Sequence, residues 1–433
     1  MDPHLGATMK SYELPSRRIV LKWAGALPLF GSIALDSFWQ QARAAVGKAG
    51  PGNIYSKIGV RPFINARGTW TYLSGSLELP EVRAAKQEAA KHFVDIFELQ
   101  RAAGKRLAEL SGAESGMVTS GAAGAIASAT AACMAGTDPA RIWQLPDTTG
   151  LKNEVVMFGG RSAFDSAVRL TGASLVVAHS PEQLEAAIHP KTAMIYTTVL
   201  GERLKAAVAI AKKANVPLLL DDAAGIPPIG NLRLYADMGI DLYCFSGGKG
   251  LGGPQCSGLL LGRKHLIEAA LANTSPWEGA VCRAMKVGKE EVMGCLAAVE
   301  AWGKMDLEAL NQQWNQRVKR IAALVETVPG VTTEVKIPED GNRYPTLTVK
   351  WDEQAWNFNV AECDRQLREG EPRIEVLTAS NPSLVPAVQE GDPKTPHHNR
   401  LQIISMTLQP GEDLIVGKRL REILAAARKN AKS

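Results

Sequence analysis

A chain of 433 residues, 45% of them hydrophobic, is long enough to bury more than one core. Its net charge of +5 is modest for that length and excludes a nucleic-acid binder that works by bulk positive charge. No internal stretch is long and apolar enough to cross a bilayer.

The first 44 residues hold five basic and three acidic side chains and stand apart from the rest. Within them, Ser16-Arg17-Arg18-Ile19-Val20-Leu21-Lys22 has the twin-arginine export pattern, with Val20 where phenylalanine is more usual. The apolar segment 23–35 that follows is too short for a membrane span, and Ala42-Arg43-Ala44 offers a small-x-small cleavage site. A signal peptide over residues 1–44 is therefore expected, with export through the twin-arginine translocase and a periplasmic mature chain that has no stable membrane span. That route carries folded proteins, which suits a cofactor inserted in the cytosol. Cysteines 133, 244, 256, 282, 295 and 363 have no paired spacing and read mostly as small core residues. Folding before export removes the need for a disulfide framework.

Residues 45–57 read as a linker, and 60–76 as an irregular stretch rich in glycine and polar residues. Pro80 opens one long helical pattern to about residue 110, with Phe93, Ile96, Phe97 and Leu99 near its apolar side. From 118 to 261 short apolar runs alternate with helical patterns, which predicts a doubly wound, mostly parallel sheet with ligands at the carboxyl ends of its strands. Helices are expected at 289–303 and 306–328. After Pro329-Gly330 the order strand, strand, helix, strand, loop, strand, helix predicts a small α/β domain over 331–433. The domain reading is thus 1–44, 45–330 and 331–433. His397-His398 lie in a polar loop, and adjacent histidines do not converge on one metal, so no metal site is expected.

Three stretches carry chemistry. Thr119-Ser120-Gly121-Ala122 follows the apolar Met117-Val118 and opens a helix of small residues, where free amides and a serine hydroxyl can cradle a phosphate. The apolar run Val216-Pro-Leu-Leu-Leu220 ends in Asp221-Asp222. A carboxylate at such a strand end can hold a pyridinium nitrogen protonated. The run Leu242-Tyr-Cys-Phe245 ends at Ser246, and glycines at 247, 248, 250, 252 and 253 then surround Lys249. A lysine on a turn of that kind can lose its proton by partial desolvation and attack a carbonyl. Lysine, aspartate and anion cradle together describe pyridoxal 5′-phosphate.

The chain also resembles the selenocysteine-synthase-like branch of fold-type-I pyridoxal-phosphate enzymes, a group that includes glucosaminate-phosphate ammonia-lyase. The matching stretches are Ile64-Asn-Ala-Arg-Gly-Thr69, Gly112-Ala-Glu114 with Thr119-Ser-Gly121, Pro146-Asp-Thr-Thr-Gly150 with Lys152-Asn-Glu154, residues 221–228, residues 246–255 and Met285-Lys-Val-Gly-Lys-Glu-Glu291. A weaker match is Leu408-Gln-Pro-Gly-Glu412. The resemblance implies the fold-type-I transferase fold, an α/β architecture with a small C-terminal domain. It implies Lys249 as the Schiff-base lysine, Asp221 as the partner of the pyridine nitrogen, and a homodimer or higher homo-oligomer. Ser246 can add a hydroxyl to the phosphate site, and Arg283, Lys286 and Lys289 form a basic segment that in relatives lies near the active site, often the partner subunit's. One position departs from the pattern. Gly160 stands where relatives tend to carry a ring-stacking histidine, which leaves Arg161 or Phe158 to cover the ring, or a more open face.

Arg67 and Arg373 are candidates for gripping a substrate carboxylate. Behind an export signal neither transfer RNA nor a phosphosugar acid is an expected substrate, which leaves a free or modified amino acid. Elimination, retro-aldol cleavage and racemisation need neither a second substrate nor an external nucleophile. A lyase is therefore the reading, with a racemase, an aminotransferase or a selenocysteine-synthase-like transferase as alternatives and a non-catalytic protein of the same fold as a remote one.

Overall fold

A computed structural model describes residues 53–338, 343–378 and 400–431. The expected signal sequence and the pair His397-His398 lie outside the described residues. The described residues fall into two units, 53–62 and those from Phe63 onward. The described part of the first holds a single 3-10 turn, Ser56–Ile58.

The second unit begins with β1 (Ile64–Ala66), α1 (Pro80–Ala89), α2 (Ile96–Ser111), β2 (Ser115–Thr119), α3 (Gly121–Ala135) and α4 (Pro139–Gln144). It continues through β3 (Glu154–Phe158), α5 (Ser166–Arg169), β4 (Ser174–Ala178), α6 (Pro181–Ala187), β5 (Thr192–Thr197), α7 (Gly201–Ala214), β6 (Leu218–Asp221), α8 (Asn231–Asp237) and β7 (Leu242–Ser246). Then come β8 (Gly258–Gly262), α9 (Lys264–Ala272), α10 (Lys289–Trp302) and α11 (Leu307–Val325). The C-terminal part carries β9 (Thr332–Lys336), β10 (Thr346–Lys350), α12 (Glu353–Trp356), α13 (Val360–Glu369), β11 (Ile374–Val376), β12 (Leu401–Ile404) and α14 (Glu412–Asn430).

Seven strands form the large sheet in the order β2-β8-β7-β6-β5-β3-β4. Strands β4, β3, β5, β6 and β7 are parallel, as the alternation of apolar runs and helices predicts. Strand β8 runs against both its neighbours. Side chains alternate across the sheet, and two buried cores follow from that period. Val156, Phe158, Ile195, Leu218, Leu220, Tyr243 and Phe245 enter one core, against α2, α7 and α10. Met157, Met194, Tyr196, Leu219, Leu242 and Cys244 enter the other, against α3 and α9. Helix α3 can lie close to the sheet because it is built of small residues; its buried Ser128 and Thr130 hydroxyls bond back to Gly124 and Ile126 carbonyls at 2.8 and 2.7 Å.

A third core gathers around the antiparallel sheet β12-β10-β9, with Val318, Ile321 and Val325 of α11 and Leu420, Ile423 and Leu424 of α14. Ile64 and Ala66 join it because β1 pairs in parallel with β11.

Two expected helices differ from the sequence reading. The pattern from Pro80 is two helices, because Asp95 caps a fresh start by accepting the Glu98 N–H at 3.0 Å, and the intervening Phe93 is fully exposed. The helical pattern expected between β3 and β4 shrinks to a 3-10 turn, Ala163–Asp165, followed by the four residues of α5.

Candidate active site

The parallel strands β6 and β7 end side by side, with Asp221 in register with Cys244. Asp221 continues the parity of Leu219, so its side chain shares a sheet face with Tyr196 of β5 and Cys244 of β7. Its carboxylate is buried and well supplied with donors. Tyr196 donates its hydroxyl to Oδ2 at 2.7 Å, while the Ala223 N–H and the Cys244 thiol donate to Oδ1 at 3.2 and 3.6 Å. Burial, and then the Asp221 charge, push the Tyr196 hydroxyl well above its usual range, so the phenol stays a neutral donor. Ser162 acts on the same hydroxyl in the opposite direction without cancelling the rise. Tyr196 escapes sequence reasoning because an aromatic residue inside an apolar strand reads as core; the parity of β5 against β6 is the signal that could have found it.

Asp222 turns the other way. Its Oδ2 accepts the Tyr235 hydroxyl at 2.5 Å, on the core side of α8. Burial raises its carboxyl above the usual carboxylate range.

Lys249 sits half-buried on the turn that follows β7. Burial depresses its ammonium, and the charges of Asp221, Cys244 and Asp222 pull the other way without cancelling the effect. An amine that sheds its proton more readily is a better nucleophile. The turn is held on all sides despite its glycines. Gly247 donates to the Ser257 carbonyl at 2.8 Å, Gly252 to the Lys249 carbonyl at 3.0 Å, and Ser76 to the Gly248 carbonyl at 2.9 Å. Trp302 donates to the Leu251 carbonyl at 2.9 Å. At Gly250 a side chain would collide with the Ile226 carbonyl and the Tyr344 hydroxyl, so only glycine allows that approach.

The third element lies on the same sheet edge. Ser120 is at the N-cap position of α3 but makes no side-chain cap, and Gly121 adopts φ 72°. Ser246 pairs across to Gly258, and a side chain at Gly258 would overlap the Gly121 backbone. A side-chain carbon at Gly124 would lie 2.6 Å from Ser120 Oγ. Three bare backbone positions thus keep a cradle open at the start of a 15-residue helix, beside the Ser120 and Ser246 hydroxyls. Amine, carboxylate and cradle fit pyridoxal 5′-phosphate: the cradle, with Ser120, Gly121 and Ala122, suits the phosphate, Asp221 the ring nitrogen and Lys249 the aldehyde.

The remaining expected residues are less central. Arg67 is buried, donates to the Val376 carbonyl at 2.9 Å and lies over the Tyr72 ring at 5.7 Å. Its loop abuts the lysine turn, where Gln255 also donates to the Thr71 carbonyl at 2.8 Å. Arg373 is committed to the buried Glu375, donating from Nε at 2.9 Å, and stacks on Phe63. Lys286 is exposed and Arg283 half-buried on the loop before α10. Met285 and Val287, on either side of Lys286, line a small cavity with Ser120, Thr274 and Ser275, so Lys286 adjoins the cradle without entering it. Lys289 pairs with Glu290.

Neither residue proposed to cover a ring at Lys249 does so. Phe158 belongs to the opposite core, under Arg203 at 5.1 Å, because strand parity sends it away from Tyr196. Arg161 is exposed and paired with Asp165.

The aminotransferase class-V family is matched over residues 176–360. Similar proteins include a D-glucosaminate-6-phosphate ammonia lyase of Salmonella typhimurium, 31% identical over 86% of this chain and 98% of that protein. A 5′-C-glycyluridine monooxygenase-decarboxylase of a Streptomyces species is 30% identical over 86% and 92% of the two chains. An L-seryl-tRNA(Sec) selenium transferase of Aquifex aeolicus is 25% identical over 70% and 72%. A solved structure of D-glucosaminate-6-phosphate ammonia-lyase superposes with a TM-score of 0.72, at 30% identity, over 87% of this chain and the whole of the other. The chain belongs to the fold-type-I pyridoxal-phosphate enzymes of the aminotransferase class-V family, among relatives of D-glucosaminate-6-phosphate ammonia lyase and the selenocysteine synthases.

Proposed function

We propose that this chain is a lyase that cleaves an amino-acid-like substrate by β-elimination or retro-aldol chemistry. The observation that carries the reading is a buried aspartate, supplied with donors at the end of β6, next to the strand that leads into the tightly held Lys249 turn. The ammonia-lyase relative, matched over 98% of its length, supports the direction of the chemistry. Bound pyridoxal phosphate acts as the electron sink for bonds at the substrate's α-carbon. Asp221 holds the proton on the ring nitrogen, since an opposite charge in contact favours the cation. Tyr196 and the Ala223 amide orient that carboxylate. Lys249 Nζ holds the cofactor and carries a proton to and from the substrate carbon. The amides at 120–122 and the Ser120 hydroxyl anchor the phosphate, with Ser246 beside them. Arg67 is the better-placed candidate for a substrate carboxylate, because its loop abuts the lysine turn.

The proposal extends to export by the twin-arginine route, on the strength of Arg17-Arg18 and the apolar segment after them, to a domain boundary near residue 330, and to a homo-oligomer. Exposed Trp277, its ring tilted against that of Phe97 with centroids 4.8 Å apart, and exposed Trp143, packed at Gly279, support association around the loop of Arg283 and Lys286. Replacing Arg17 and Arg18 together by lysine is expected to leave precursor in the cytosol; a variant that still reaches the periplasm removes the export reading.

Incubating the loaded protein with L- and D-amino acids bearing β-leaving groups, and with phosphorylated amino-sugar acids, tests the reaction. Release of a keto acid with ammonia, or of an aldehyde with a shorter amino acid from a β-hydroxy substrate, is expected from at least one, without oxygen uptake. Oxygen uptake with loss of carbon dioxide would replace the lyase reading with an oxidative decarboxylation. No change in cofactor absorbance with any compound would favour a non-catalytic role.

A further inference from the structure

Phe164 is 55% exposed, yet its backbone is fixed from several directions. It occupies the middle of the 3-10 turn Ala163–Asp165, and its N–H donates to Ser162 Oγ at 3.2 Å. The next residue, Asp165, is only 3% exposed and takes ion pairs from Arg161 and Arg169. Ser162, which caps the turn, also acts on the Tyr196 hydroxyl that donates to Asp221, so the turn stands next to the carboxylate of the site. The Phe164 ring centroid lies 5.8 Å from Lys249 Nζ. An apolar ring held beside a reactive amine, rather than folded into either core, is placed to cover something planar that the amine holds.

We propose that Phe164 stacks on the cofactor's pyridine ring and closes the face that Gly160 leaves without a side chain. The inference rests on the reading of Lys249 as the amine that holds pyridoxal phosphate. Gly160 itself turns towards His179, whose Cε1 a side-chain carbon there would meet at 3.4 Å, so the backbone reaches the ring face four residues later, at Phe164. A phenyl ring stacks and excludes water but has no proton to give or take. Proton traffic on the substrate therefore falls to Lys249 and not to the covering residue, which makes Phe164 a positioning residue.

The test uses Phe164→Leu, which keeps apolar bulk without the ring, and Phe164→Trp, which keeps a ring. Affinity of the apo-protein for pyridoxal phosphate is measured by equilibrium dialysis, with borohydride labelling of Lys249 as a control. Loss of aromatic stacking is expected to weaken the Kd of the leucine variant by about 3- to 10-fold, with the tryptophan variant near wild type. Unchanged affinity in the leucine variant, or equal weakening in both, overturns the proposal. So does an altered sedimentation coefficient with unaltered affinity, which would make Phe164 an interface residue. If wild-type protein carries no label on Lys249, the reading of the site fails and takes the inference with it. That outcome is distinct from one in which the label is present and only the stacking effect is missing.

Discussion

Asp221 and Asp222 are neighbours in sequence, both buried, and both accept a tyrosine hydroxyl, yet they lie on opposite sides of the large sheet. Asp221 faces Tyr196 and Cys244 and is coupled to Lys249 more strongly than Asp222 is. Asp222 faces Tyr235 in the other core, where burial holds its carboxyl above the usual range. Residue type and burial alone thus do not mark the functional carboxylate. What separates the two is the parity of the strand end, which sets Asp221, the proposed functional acid, beside Tyr196 and Cys244 and sends Asp222 into packing against Tyr235.

The sharpest way to break this comparison is Asp221→Asn, which removes the negative charge but keeps the shape. Turnover is expected to fall by roughly 100-fold or more, about 2.7 kcal/mol of transition-state stabilisation, while the cofactor stays attached to Lys249. If Asp222→Asn proves the more damaging in steady-state assays, the strand register is wrong by one residue.

A smaller effect is expected at the donor that sets Asp221 in place. Tyr196→Phe deletes one buried hydrogen bond to a charged group, a contribution of about 1.5–3 kcal/mol in general, part of which falls on catalysis. A drop of about 10-fold in kcat with little change in KM is the expected split. A change in KM alone would assign Tyr196 to substrate binding instead.

Asp222→Asn is expected to leave turnover within about 2- to 3-fold of wild type. Its effect belongs to stability and pH. The folded protein holds the Asp222 proton to higher pH than the unfolded chain does, because burial raises the carboxyl from its ordinary 3.8. The stability that proton contributes is present at low pH and lost as pH rises through the raised value. Asparagine does not titrate and its carbonyl can still accept from Tyr235, so the variant's unfolding midpoint should gain on wild type as pH rises from about 4 towards 7. A constant difference across that range would mean that Asp222 titrates normally.

The large sheet was legible because its central strands, buried on both faces, are short apolar runs with carboxylate, serine or glycine at their ends. Lys249 and Asp221 were legible for the same reason, as polar residues at the ends of such runs. Strand direction was not, since Gly258–Gly262 is apolar like its parallel neighbours and nothing local shows that β8 is reversed. Nor did the break before Ile96 show, because Phe93 is apolar but faces solvent. Of the candidate ring covers, strand parity sends Phe158 into the opposite core, and Arg161 pairs with a nearby acid. Phe164 carried no signal at all, because a loop aromatic gains meaning only when the fold brings it to Lys249.

Borohydride reduction of the purified protein loaded with pyridoxal phosphate, followed by peptide mass mapping, tests the central claim most directly. The added mass is expected on the peptide that contains Lys249 and on no other, and it should vanish in Lys249→Ala. A label on a different lysine, or one that survives in Lys249→Ala, would contradict the assignment of the site.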